Sequence, residues 1–242
     1  MIIVGIVNLI VGLLVGVSGI AGFLLPIFYV SVMKLNTVEA LALSFSAFIV
    51  SGVLGSINYY KARLLNVRTA LIISAGSFIA SFLGVKANLL IPEYIMQKVL
   101  YIVVLLSGLS ILLRKNKDKG GSGTHNMLVL TAIGFVTGFI CSISGAGGPI
   151  LVLPVLIMLG IGVHEAVAIA LFNSIFIGIP AASGYMLNSN FEIIKPILPV
   201  SLISHGIGVL IGSKNGNKIN QNILKKSVAV FSILIAAYKL LF

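Results

Sequence analysis

Between about Met127 and Leu159 the chain carries no charge, yet the centre of this apolar run reads Ser142-Ile143-Ser144-Gly145-Ala146-Gly147-Gly148-Pro149. An apolar run of this length is helical in a bilayer, but three glycines, two serines and a proline at its middle remove helix propensity and add backbone freedom. The spacing therefore predicts a broken helix. A break at membrane depth leaves N–H and C=O groups that lipid cannot satisfy, so it is tolerated only against protein or a polar cavity. Near the start of the chain, Ser18-Gly19-Ile20-Ala21-Gly22 lies in a similar apolar context and reads as a weaker copy.

Composition supports the membrane setting. Of 242 residues, 59% are hydrophobic and 9% charged, which excludes a soluble domain of ordinary make-up. A net charge of +11 would suggest nucleic acid in a soluble protein. Here Lys and Arg fall mostly in short connections between apolar segments, so no nucleic-acid partner is expected and the lipid bilayer is the surrounding phase. The single cysteine, Cys141, lies inside an apolar segment and suggests neither a disulfide nor a metal cluster, and no cofactor is expected. Met1 to Val7 hold no basic residue and the apolar stretch runs on to Val32, past signal-peptide length, so no cleaved signal is expected.

In chain order, the segment from Ile2 to Met33 is too long for one straight span and too short for two, and with its internal break it reads as a re-entrant pair. Three full spans follow, at about 38–60, 69–90 and 94–113. The one polar, glycine-rich linker lies near the midpoint, dividing a first repeat (1–114) from a second (126–242) through a basic linker at 115–125 expected on the cytoplasmic side. The second half repeats the first at an offset of 126 residues: Gly12 falls on Gly138, Ser18 on Ser144, Gly19 on Gly145, Gly22 on Gly148, Glu39 on Glu165, Gly52 on Gly178 and Tyr59 on Tyr185. Beyond Tyr185 the offset becomes 128, placing Gly84 on Gly212 and Lys86 on Lys214.

The positive-inside rule tests how the halves are oriented. If each broken segment returns to its starting side, the halves are inverted; of the 16 basic residues, Lys34, Lys86, Lys98, Lys195 and Lys239 then face one side and the other eleven the opposite side. If each broken segment crosses, the halves are parallel and the asymmetry nearly vanishes. The expectation is an all-α, polytopic membrane protein of two inverted repeats, each with one broken helical hairpin and three transmembrane helices, and with both termini outside the cytoplasm. Inverted repeats meeting at broken helices are a recurring plan of secondary transporters.

At such a break, free N–H groups and the positive end of the following half-helix suit an anion. The candidate substrate-binding residues are Ser18, Gly19, Gly22, Ser144, Gly145, Gly147, Gly148 and Asn173, with Ser142 as a further hydroxyl. Gly and Ser also serve close helix packing, but repetition at matched positions favours a functional break. Glu39 and Glu165 are intramembrane carboxylates that would suit proton or cation coupling. Asn36-Thr37-Val38-Glu39 also reads as a capping box, the stronger account of that pair. His205 would suit proton coupling or a structural hydrogen bond. Tyr59 and Tyr185 end their helices and read as interface anchors. Enzyme signatures are absent apart from the remote pairing of Ser144 with His205 in an intramembrane hydrolase.

Gly12-Leu13-Leu14-Val15-Gly16-Val17-Ser18-Gly19-Ile20-Ala21-Gly22 with Pro26, paired with Gly134 to Gly138 and Ser144-Gly145-Ala146-Gly147-Gly148-Pro149 through Pro154, resembles the TauE/SafE family of sulfite and organosulfonate exporters. The resemblance spans nearly the whole chain. It implies a plasma-membrane permease for small sulfur-containing or carboxylate anions, coupled to a proton or sodium gradient, and leaves a homodimer open. Ile20, Ala21 and Phe23 stand where that family usually has glycine, so the first copy is expected to bind less or to act as a hinge. A passive anion channel is the rival reading.

Overall fold

The computed structural model describes residues 1–19, 21–113 and 126–215, together with scattered helical positions between 226 and 240. The linker expected at 115–125 lies outside the described residues. The first half consists of α1 (Ile2–Ser18), a single 3-10 turn (Ala21–Phe23), α2 (Leu24–Ser31), α3 (Thr37–Lys61), α4 (Val67–Leu90) and α5 (Glu93–Leu113). The second consists of α6 (Met127–Ser144), α7 (Gly148–Met158), α8 (Val163–Leu187), the short α9 (Phe191–Ile194) and α10 (Ile197–Asn215). Among the described residues all regular structure is helical, and α3, α4, α6, α8 and α10 are each long and apolar enough to cross a membrane.

The offset read from sequence is carried into the helices. Adding 126 to the bounds of α3 gives those of α8, and α1 and α6 end on the equivalent residues Ser18 and Ser144. Each of these ends has the same physical cause. Gly19 and Gly145 adopt left-handed backbone (φ 71° and 70°), and their N–H groups close the last turn onto the carbonyls of Val15 and Cys141 at 2.7 and 2.9 Å. Glycine takes this cap without the penalty a Cβ would bring.

The copies differ in how they restart. Gly147 holds φ 80° and ψ 143°, a conformation that belongs almost exclusively to glycine, and from it α7 begins abruptly with Pro149 in its first turn. Its equivalent is Ala21, which cannot reach that conformation, and there the chain winds through the 3-10 turn before α2. The first copy is thus weaker for a definable backbone reason.

Close-packed pairs set the directions of the helices. Gly52 of α3 lies against Leu171 and Ile175 of α8, while Gly178 of α8 lies against Phe45 and Ile49 of α3, so the two helices run antiparallel. Gly12 lies against His205 and Gly16 against Val209 and Ser213, so α1 runs parallel to α10. Gly138 against Ser77 and Gly84 against Ser142 give the same parallel relation between α6 and α4. Small residues let these backbones nearly touch, which suits association in lipid, where apolar surface alone gives no drive. α2 folds back along α1, tied by Asn8 Nδ2 donating to Tyr29 Oη at 2.9 Å. The outer surface carries exposed apolar side chains such as Ile79, Leu106, Leu128 and Ile203, as lipid contact requires.

Candidate functional site

The two breaks meet. Gly19 and Gly22 from the first and Ala146, Gly147 and Pro149 from the second line one cavity of about 10 Å³, closed by Val15, Phe48, Ser51 and Ser174. That is about the space of one water molecule. Phe48 and Ser51 lie near the middle of α3 and Ser174 near the middle of α8, so the cavity lies at mid-span. Gly19 approaches the second break directly, since a Cβ on it would stand 3.6 Å from Pro149 Cβ. Among the described residues, no charged side chain lines the cavity.

What the cavity offers is backbone. The first-turn N–H groups of α7 have no carbonyl within their own helix, and its dipole places a partial positive charge at that end. The start of α2 contributes the same polarity from the other half. The serine hydroxyls do not add donors in this state. Ser18 donates to Leu14 O at 2.7 Å, Ser142 to Gly138 O at 2.8 Å, Ser144 to Ile140 O at 2.7 Å, Ser174 to Ala170 O at 3.0 Å and Ser51 to Phe48 O at 3.1 Å. Each returns its proton to its own helix, the usual habit of serine in a helix. Ser144 Oγ also accepts from Ala146 N at 3.3 Å, bracing the break.

Two features of the site were not legible from spacing. Phe48 was not among the expected residues, yet a Cβ at Gly22 would stand 2.8 Å from its ring and one at Gly147 3.3 Å. Its ring packs between the two breaks, and its equivalent in the second half is Ser174. Tyr59 and Tyr185 are not interface anchors: both are fully buried. Tyr185 Oη donates to Ser142 O at 2.7 Å, and Tyr59 Oη donates to the carbonyls of Gly16 and Val17 at 3.3 Å. These are equivalent points just before each break, where a helix end leaves carbonyls without partners. Asn88 Nδ2 adds a 2.6 Å bond to Ile143 O. The tyrosine spacing was visible in the repeat; its purpose depends on a contact about 43 residues away.

The remaining candidates separate. Glu39 closes a capping box at the start of α3, with Glu39 N donating to Asn36 Oδ1 at 2.8 Å and Asn36 N to Glu39 Oε2 at 3.2 Å. Glu165 lies in the first turn of α8, whose cap is Gly162 and has no side-chain bond. Neither carboxylate lines the cavity. Asn173 is fully buried beside Ser174, and neither its amide oxygen nor its nitrogen has a hydrogen-bond partner. His205 is fully buried on α10 and does not line the cavity, and the Ser144 hydroxyl donates to Ile140 O instead.

A multi-pass helical bundle with two capped breaks converging at mid-span is the construction of a membrane transporter. The family model described as "Sulfite exporter TauE/SafE" matches residues 2–239, and the chain belongs to that family. It is also 27% identical, over 240 residues, to a probable membrane transporter protein of Methanocaldococcus jannaschii, the match covering 95% of this chain and 89% of that protein. No solved structure matches the chain.

Proposed function

We propose that this transporter is a secondary carrier of the plasma membrane for a small oxyanion such as sulfite, an organosulfonate or a short carboxylate. The observation that carries the proposal is the convergence of two helix starts, one from each half, on an uncharged cavity at mid-span. In a low-dielectric setting, oriented N–H groups and helix dipoles bind an anion without the cost of burying a cationic side chain. Gly145, Gly147 and Gly148 form the principal half-site, Gly19 and Gly22 the opposing one, and Ser18, Ser144 and Asn173 turn their polar groups to the anion when it enters.

Antiparallel α3 and α8 support inverted repeats, and the distribution of basic residues favours extracytoplasmic termini. The carrier reading is favoured over a passive channel by the size of the cavity. An oxyanion of four or more heavy atoms is several times larger than the one water the space admits, so entry requires the halves to part, as in alternating access.

Uptake of labelled sulfite, methanesulfonate and small carboxylates into proteoliposomes, compared with Gly148→Leu, tests the reading. Saturable, counterflow-competent flux that is lost in the variant is expected. Equal flux in both proteins removes the proposed site, and flux linear in substrate over a wide range removes the carrier.

A further inference from the structure

A second buried polar cluster lies outside the cavity, where α1, α2 and α10 meet. Asn8, Tyr29, Ser201 and His205 are each fully buried. Asn8 Nδ2 donates to Val4 O and to Tyr29 Oη, both at 2.9 Å, and Tyr29 Oη lies 3.2 Å from Asn8 Oδ1, to which it donates. Ser201 donates to Leu198 O at 2.8 Å and also lies within reach of the Tyr29 hydroxyl. His205, one turn beyond Ser201, faces the Asn8 main chain, yet neither ring nitrogen makes a hydrogen bond of ordinary geometry. Buried polar groups are nearly always bonded, and one left without partners inside a polar cluster signals an arrangement not yet completed.

We infer that Asn8, Tyr29, Ser201 and His205 form a proton-binding site that couples proton binding to the position of the first broken segment. This rests on the carrier reading and names its coupling ion. Neutral imidazole has one donor and one acceptor; the charged ring has two donors and no acceptor. A proton taken up on the free ring nitrogen therefore needs oxygen acceptors on both sides. The Asn8 main chain, Tyr29 Oη and Ser201 Oγ are the groups at hand, and engaging them draws α2 toward α10. Since α2 is the returning arm of the first hairpin, the proton favours one position of the Gly19 to Gly22 break over another.

No other titratable group competes for the ring among the described residues. α1 carries none, and α2 only Tyr29. Opposite this stretch of α10, α3 presents Val50 and Leu54 at Gly206. Elsewhere on α3, Glu39 closes its capping box, Tyr59 is bonded to α1, and Tyr60 and Lys61 are exposed at the far end. On α9 and just after it, Glu192 and Lys195 are exposed and face each other at 4.0 Å. Lys214, Lys226 and Tyr238 are exposed. The cluster also occurs once. Gly134, Val155, Ile73 and Ser77 occupy the equivalent positions in the other half, where Ser77 Oγ donates to Gly134 O at 2.9 Å and no ring remains to be satisfied.

The test labels the histidine rings of the full-length protein with nitrogen-15 in lipid nanodiscs and assigns the His205 signals by their loss in His205→Gln. As the pH is lowered from about 8 to about 3, the His205 ring is expected to pass from the neutral to the doubly protonated pattern. Tyr29→Phe, which keeps the ring and removes the acceptor, is expected to move that transition to lower pH. A His205 ring that stays neutral across the range, or a transition unmoved by Tyr29→Phe, overturns the proposal. In proteoliposomes, His205→Gln is expected to lose accumulation of labelled sulfite driven by an imposed proton gradient while keeping sulfite counterflow, and unchanged gradient-driven accumulation also overturns it. Failure of the carrier reading is separate: it shows as absence of counterflow in the unaltered protein, and the ring titration does not depend on it.

Discussion

Replacing Gly147 by alanine isolates the backbone conformation on which the second break depends. At φ 80° and ψ 143° an L side chain is strained whatever space surrounds it. Such a residue costs on the order of 1–3 kcal/mol. The added Cβ would also stand 3.3 Å from Phe48 Cε2 and Cζ, close enough that the ring must give by a few tenths of an ångström. If the strain is relieved by abandoning the abrupt start of α7, the first-turn N–H groups proposed to hold the anion are displaced. A cost of about 1–3 kcal/mol corresponds to a 5- to 150-fold loss in the population holding the site. The assay is saturable sulfite flux in proteoliposomes beside apparent thermal stability in detergent. Gly147→Ala is expected to lower flux within that range and to lower the unfolding temperature. The equivalent first-half change, Ala21→Gly, removes no glycine-only conformation and is expected to lower flux far less. Gly147→Ala with unaltered flux and stability would refute the reasoning, because it would show that the conformation is not needed for the site.

Two further outcomes follow from the repeat. Tyr185→Phe leaves the buried Ser142 carbonyl without its 2.7 Å bond, and Tyr59→Phe removes only two 3.3 Å contacts. The first is expected to destabilise by about 1–3 kcal/mol and the second by less, read as the order of their apparent unfolding temperatures. Gly162 occupies in α8 the place Asn36 holds in α3, with similar backbone angles (φ −57° and −67°) and open space where a Cβ would stand. Gly162→Asn should therefore complete a capping box with Glu165. A gain of about a few tenths of a kcal/mol, seen as a raised unfolding temperature with unchanged flux, is expected.

How much was legible in the chain depended on the range of the physics. The breaks, the αL caps and the helix bounds follow from local chemistry: glycine where φ is positive, proline where a helix starts, and an offset that repeats both. The capping box of Glu39 was equally local and was readable as Asn-x-x-Glu. The tyrosine braces were not, because a helix that is apolar all round gives no periodic signal of which face meets which neighbour. The same gap hid the commitment of the serine protons to their own helices, and the assembly of Asn8, Tyr29, Ser201 and His205 from three separate helices.

The differences between the halves at the two breaks fall on the same side, and they bear on which break holds the anion and which one moves. The second break has Gly147, the glycine-only angle and the clean start of α7. The first has Ala21 and a 3-10 turn, a winding with poorer hydrogen-bond geometry that often marks a hinge. At the cavity, the first half supplies the filling ring of Phe48 where the second supplies the small Ser174. Beside the first hairpin lies the cluster whose His205 nitrogens are unbonded. An exactly symmetric pair of breaks would give the two access states equal energy, and a ligand that meets both states equally shifts neither. On the proposed reading, the rigid second break keeps the anion while the first break, looser in backbone and adjacent to the proton site, moves. The device that couples the proton is therefore sought at Asn8, Tyr29 and His205, and the device that sets substrate at Gly145 to Gly148.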